Sequence, residues 1–155
     1  MALDSQSALD TINLAILDEL QKDARLSHSE LARRVRLSAP AVSERVRRLE
    51  EAGFIAAYSA RVPAKALGYS VTAIVCVVVP PNRYKPMYEL ARDLPEIREC
   101  YHVAGETSLI LKVLATSIEG LEQTLQKIQV LGTTQTSIVM SAPVVKETFD
   151  LSQTR

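Results

Sequence analysis

Apolar positions recur at two different periods along this chain, and the change comes near Phe54. From Leu9 to Ile55 the period is helical, so that residues three and four apart share a face. Leu9, Ile12, Ile16, Leu17 and Leu20 form one stripe, and Asp10 stands where a side-chain oxygen would cap a first helix. Ser27-His28-Ser29-Glu30 reads as a capping box opening a second helix, with Leu31 and Val35 turned inward. Ser38 is placed to cap a third, and Pro40 falls in its first turn, where a missing N–H costs little. Val42, Val46 and Leu49 make the buried stripe of that helix, and Gly53 stands at its C-terminal stop.

Beyond Phe54 the pattern turns strand-like. FIAAY is a short strand candidate, and residues 59–68, with Pro63 and Gly68, read as a linker. VTAIVCVVV predicts a strand stopped by Pro80-Pro81-Asn82. MYELARDL predicts a helix with Met87, Leu90, Ala91 and Leu94 on one side, ended by Pro95. IRECYHVA and SLILKVLA read as strands around a turn at Gly105-Glu106. Thr116-Ser117-Ile118-Glu119 is a second capping box, for a helix buried through Ile118, Leu121, Leu125 and Ile128 and closed by Gly132. TTQTSIVMSA is the last strand. The order β-α-β-β-α-β, with right-handed crossovers, predicts a ferredoxin-like sandwich with helices on one face only. The other face needs a cover, most simply a second copy of the chain. The expected division is 1–58 helical, 59–68 linker, and 69–155 sheet domain.

Composition narrows the class. The chain has 155 residues, and only 5% are aromatic against 47% hydrophobic, so a small core short of large anchors favours a partner subunit. Two cysteines, Cys76 and Cys100, are too few for a disulfide framework and suit a reducing compartment. The N-terminal MALDSQSALD lacks signal-peptide character, and no apolar run reaches a bilayer span, so a soluble, cytoplasmic protein is expected.

Charge changes the picture most. Arginine occurs at 33, 34, 36, 45, 47 and 48, with Glu44 the only acid between 33 and 48, in a chain of net charge zero. Helix, short turn, helix is the layout of a helix-turn-helix. At about 100° per residue, the buried stripe of the third helix turns Pro40, Ser43, Glu44, Arg47 and Arg48 outward and leaves Arg45 near the stripe's edge. Small residues at the start and cations at the end suit a major groove and its phosphates. Arg33 and Arg34 are placed to reach flanking backbone. The predicted DNA-facing set is therefore Arg33, Arg34, Arg36, Ser38, Pro40, Ser43, Glu44, Arg47 and Arg48. The competing reading is a solvated face of i,i+4 pairs, such as Glu44 with Arg48 and Arg47 with Glu51. Neutral net charge is no obstacle, because screening over about 8 Å keeps the cationic field local.

Other chemistry is thin. Cys100 and His102 lie on one side of a strand but have no second pair at ligand spacing, so no metal or cofactor is expected. His28, inside a capping box, is expected to be exposed and inert. No glycine-rich phosphate loop and no local nucleophile–base pairing point to an enzyme. The cluster Thr133 to Ser137 reads either as strand propensity at an edge or as a polar wall for a small ligand.

LDTINLAILDELQKDARLSHSELARRVRLSAPAVSERVRRLEEAGFI, followed by a βαββαβ half ending in GTTQTSIVMSAPV, resembles the Lrp/AsnC (feast–famine) regulators over almost the whole chain. The resemblance implies an α+β protein with an N-terminal winged helix-turn-helix and a C-terminal ferredoxin-like effector-binding and oligomerisation domain. It implies double-stranded DNA and an amino acid or related metabolite as partners, with dimers assembling further, up to octamers. The effector site expected lies between subunits, at Gly105, Glu106, Thr107 and Ser108 with Thr134, Thr136 and Ser137. Two departures stand out. Arg36 occupies a turn position where many relatives have glycine. Ser108 stands where many carry an aspartate, which removes a fixed anion for an α-amino group. An architectural DNA-wrapping protein without an effector is the alternative.

Overall fold

The computed structural model describes residues 9–153; the first eight and last two positions of the chain, which end the two expected domains, lie outside the described residues. Packing divides the chain into two units, each compact within itself. One runs to Ala60 and takes in the chain again from Val144, and the other is Arg61–Pro143.

Three helices build the first unit: α1 (Thr11–Lys22), α2 (His28–Val35) and α3 (Ala39–Glu51). Each begins where a side-chain oxygen takes an otherwise orphaned N–H. Asp10 Oδ1 accepts from Asn13 N–H at 2.7 Å, Ser27 Oγ from Glu30 N–H at 3.2 Å, and Ser38 Oγ from Ala41 N–H at 3.4 Å. The expected capping box at Ser27 forms on one side only, because the Glu30 carboxylate turns to Arg33 and Arg34. α3 stops at Ala52, and Gly53 takes a φ of 77° that a side chain would resist. Ile16, Leu31 and Val42, one from each helix, are fully buried with Leu49 and Val46 in a single core.

FIAAY differs from expectation. Residues 54–58 form no strand, because among the described residues of this unit no other strand offers a ladder. Phe54 and Ile55 pack on the helical core instead. The segment from Val144 also differs, since it joins the helical unit rather than the sheet domain expected to run to 155. Gln21 at the end of α1 holds it, donating Nε2–H to the Phe149 carbonyl at 3.3 Å and accepting Phe149 N–H at 2.8 Å. The expected linker contains a short 3-10 turn at Ala64–Leu67 closed by Gly68.

The second unit carries β1 (Val71–Val78), α4 (Tyr84–Asp93), β2 (Ile97–His102), β3 (Leu109–Ala115), α5 (Ile118–Gln129) and β4 (Thr133–Ile138). The sheet order is β2-β3-β1-β4 with every neighbouring pair antiparallel, which is the expected ferredoxin-like order. Alternation along the strands decides the layers. Ala73, Val75, Val77, Leu109, Leu111 and Val113 are buried beneath α4 and α5 with Met87, Leu121 and Ile128. Ile74, Cys76, Ile110 and Leu114 point the other way and are only half-buried, on a face no element of the unit covers. α5 is capped by Ser117 Oγ, which accepts Gly120 N–H at 3.1 Å, one residue later than the predicted box starting at Thr116. Its inward stripe is Leu121, Thr124 and Ile128, whereas Ile118, expected inside, is 53% exposed on the first turn.

Candidate functional site

α2, the turn and α3 place the arginines. The turn is held by Leu37 N–H donating to the Ala32 carbonyl at 3.0 Å. Arg36 takes the left-handed conformation there, φ 57° and ψ 45°, and is the only non-glycine with positive φ among the described residues. That choice costs about 1 kcal/mol relative to glycine. Val42, Val46 and Leu49 anchor α3, so Pro40, Ser43, Arg47 and Arg48 are exposed and Glu44 lies half-buried between arginine side chains.

Every arginine of this stretch except Arg36 has a carboxylate partner. Glu44 Oε1 accepts from Arg47 Nη2 at 2.7 Å and Arg48 Nε at 2.8 Å, and its Oε2 accepts from Arg47 Nε at 3.0 Å. Arg47 pairs with Glu51 as well. Glu30 takes Arg33 at 2.7 Å and Arg34 at 2.9 Å. The ion pairs of the solvated-face reading are thus formed, on the same surface that the DNA reading needs. Such exposed pairs contribute little to stability. Hydrogen bonds from Arg47 first and Arg48 second hold the Glu44 carboxyl down at about 2, and Arg33 then Arg34 do the same to Glu30. Both acids are therefore ionised at neutral pH.

Two arginines serve the frame. Arg34 reaches Glu19 on α1 at 2.7 Å and so ties α1 to α2. Arg45 reaches Asp10 at 2.6 Å and Asn13 at 2.8 Å, tying the start of α1 to α3. A groove of about 540 Å³ between those helices is lined by Asp10, Asn13, Ala41, Glu44, Arg45 and Arg48. Glu30 was legible as the partner of Arg33 and Arg34, being three and four residues away. Glu19 and Asp10 were not, because nothing local in the sequence joins them to arginines 15 and 35 positions on. Ser38 is spent on the cap of α3, and His28 is exposed at the start of α2, next to its cap Ser27.

In the second unit, the β2–β3 connection and the start of β4 meet at one end of the sheet. Ser108 N–H donates to the Val77 carbonyl at 3.0 Å, and Ser108 Oγ accepts Val79 N–H at 3.1 Å. On its other side Val77 pairs with Thr134 of β4. Ser108 and Thr134 therefore flank the same residue of β1. Gly105 has a φ of 133°, and Gly105 and Glu106 are exposed while Thr107 is half-buried. Gly132 must stay small, since a Cβ there would come within 2.6 Å of the Val78 carbonyl oxygen. It lets the α5–β4 turn close on this end of β1.

The seven expected effector residues are not all brought together. Thr134 and Thr136 pair with Val77 and Val75, so they sit on the helix-covered side, and Thr134 Oγ1 accepts from Gln129 Nε2 of α5 at 3.1 Å. Ser137 pairs with Ile74 and lies on the uncovered side, because a strand alternates at every residue. Cys100 and His102 do share a side, opposite Leu111 and Leu109, and His102 Nδ1 lies 3.2 Å from the Tyr88 hydroxyl. No helix among the described residues is long and apolar enough to cross a membrane.

Comparison with known proteins agrees on both units. A winged helix-turn-helix DNA-binding model matches residues 9–56, and the Lrp/AsnC ligand binding domain matches residues 72–149. The chain is 41% identical over 133 residues to the HTH-type transcriptional regulator LrpC of Bacillus subtilis (strain 168), covering 86% of this chain and 92% of that one. The solved structure of B. subtilis LrpC superposes with a TM-score of 0.84 at 40% identity, over 89% of this chain and 99% of the other. A feast or famine regulatory protein from M. tuberculosis, solved complexed with L-methionine, matches at TM-score 0.82 and 35% identity, over 91% and 98% of the two chains.

Proposed function

The chain belongs to the Lrp/AsnC family, as a DNA-binding transcriptional regulator with a ligand-binding domain rather than an enzyme, and from that premise we propose that it controls transcription as a cytoplasmic homo-oligomer answering to an amino acid or related metabolite. Its operator contacts would come from Arg33, Arg34, Arg36, Ser43, Glu44, Arg47 and Arg48, with Ser38 and Pro40 opening the recognition helix. Its effector would lie between subunits at the Gly105–Ser108 connection and Thr134. The observation that carries this reading is the L-methionine complex of a relative 35% identical to this chain. The union of Ser108 and Thr134 on Val77 supports the location.

Dimers would form through the uncovered sheet face and associate further, up to octamers. A ligand with different affinities for two assemblies shifts their populations, and that gives it a route to the DNA-binding heads. The proposed division of labour is 1–58 for DNA, 59–68 as linker, and 69–155 for effector and assembly, with the tail from Val144 returning to the helical unit.

Ser108 sets the ligand preference in this reading. Its N–H donates to Val77 of β1 and its hydroxyl oxygen accepts from Val79 N–H, and it offers no negative charge. An α-amino group then lacks one charge-assisted hydrogen bond, about 1.5 to 3 kcal/mol. Calorimetry of the full chain with L-methionine and L-leucine tests this. Ser108→Asp is expected to bind either amino acid about ten- to a hundredfold more tightly than the unaltered protein. Tight binding by the unaltered protein would overturn the Ser108 reading. Binding by neither protein, with DNA still wrapped, would favour the architectural alternative.

A further inference from the structure

We propose that Glu44 is the side chain through which this protein reads sequence, and that it reads cytosine. The inference rests on the reading of α3 as the helix that enters the major groove, and it names what that helix recognises there.

Glu44 is the only carboxylate on the first two turns of α3, on the face that also presents Pro40, Ser43, Arg47 and Arg48. A recognition helix meets base edges with its N-terminal part. A carboxylate on that surface has few options. It cannot approach a phosphate, whose charge is the same. It can retreat into solvent, or accept a hydrogen bond from an amino group on a base.

Retreat is opposed by geometry. Arg47 takes both carboxylate oxygens, at 2.7 and 3.0 Å, and Arg48 takes one of them at 2.8 Å. Both arginines come from the C-terminal side of Glu44, so they fix its carboxylate plane from one end of the helix. An ionised carboxylate is an acceptor only, with room for about four hydrogen bonds over its two oxygens. Three are taken, and Oε2 carries a single donor. Capacity remains for one more N–H.

The major groove offers two exocyclic amino groups. Adenine N6 stands beside the N7 acceptor of the same base, which repels a carboxylate. Cytosine N4 is a donor with no acceptor beside it on its own edge, and it suits glutamate. The guanine of the same pair presents O6 and N7, two acceptors that suit an arginine. Glu44 with an arginine clamped to it is therefore complementary to a C·G pair as a unit, acid to cytosine and guanidinium to guanine.

Binding-site selection from a randomised duplex library, with full-length wild type, Glu44→Gln and Glu44→Ala, tests the assignment. Affinities for the selected site and its single base-pair substitutions are then measured by fluorescence anisotropy. The wild type should require one C·G pair in each half-site, with about tenfold or greater loss when it is replaced. Glu44→Gln should move that one position toward A·T, because a glutamine amide matches adenine N6 and N7. Glu44→Ala should lose preference at that position alone. An unchanged consensus in both variants would overturn the proposal. So would a uniform gain in affinity for all sequences, which would make Glu44 a mere competitor for the arginines. A wild type that binds no duplex DNA would sink the reading of α3 as well, whereas the other two outcomes leave it standing.

Discussion

The two units of this chain treat their apolar surface differently. In the helical unit, stripes from α1, α2 and α3 converge on one centre, and Ile16, Leu31 and Val42 are fully buried there. What remains outside α2 and α3 is charged, with arginines held in carboxylate pairs. In the sheet unit, each central strand buries one row under the helices and leaves the other row half-exposed. Tyr101, Ile110, Cys76 and Gln135 stand in register across that open face, and Glu99, Lys112, Ile74 and Ser137 form the next row. Three helices can surround a centre, but a four-stranded sheet has two faces and this chain has helices for one. The helical core is therefore complete within one chain, and the sheet is not.

The sharpest way to break this contrast is to charge the open face. Ile110→Asp should abolish self-association of the full protein, since an unpaired carboxylate buried in an interface costs about 3 kcal/mol or more. Sedimentation equilibrium reads the result, and a dimer that persists would show that this face is not the contact. DNA binding at a single half-site should survive the change.

A smaller effect sharpens the comparison from the other side. Arg36→Gly should stabilise the helical unit by about 1 kcal/mol, because glycine adopts the left-handed turn without strain. DNA affinity should nonetheless fall, with the salt dependence flattened by about one unit of slope. Thermal melts and anisotropy titrations at several salt concentrations separate the two. Stabilisation with unchanged DNA binding would make Arg36 a spectator.

The smallest effect concerns pH. Glu30 and Glu44 are each held at about 2, below the usual 4.5, by the arginines beside them. Groups depressed in this way lend stability that is fully present above the unfolded value and is lost as pH falls through the folded one. The melting midpoint of the helical unit should then fall between pH 4.5 and 2, and more gently in a Glu30→Gln, Glu44→Gln double variant. Both pairs are exposed, so the difference should be slight. Identical pH profiles would mean that the pairs do not persist in solution.

Much of this could be read from the chain and some of it could not. Caps at Asp10, Ser27, Ser38 and Ser117 involve groups three residues apart, and strand alternation shows at two. Such features are set by backbone geometry over one turn or one pleat, so the sequence displays them. Expectation and structure part where the deciding partner is distant. FIAAY has strand composition but no ladder, and Ile118 has the right period but lies one turn too early to reach the sheet. Thr134, Thr136 and Ser137 are alike in kind, and only the strand register shows that an odd step puts Ser137 on the other face.

By itself, then, the sequence determined the helices, the strands, their order and the cationic outer face of α3, because each follows from periodicity and capping within a few residues. Only the tertiary structure decided that Arg34 and Arg45 brace α1, that Ser108 is bound to β1, and that the segment from Val144 returns to Gln21. Those pairings join residues from 15 to 128 positions apart. No local pattern encodes such a meeting; it exists only once burial of the two cores has brought the elements together.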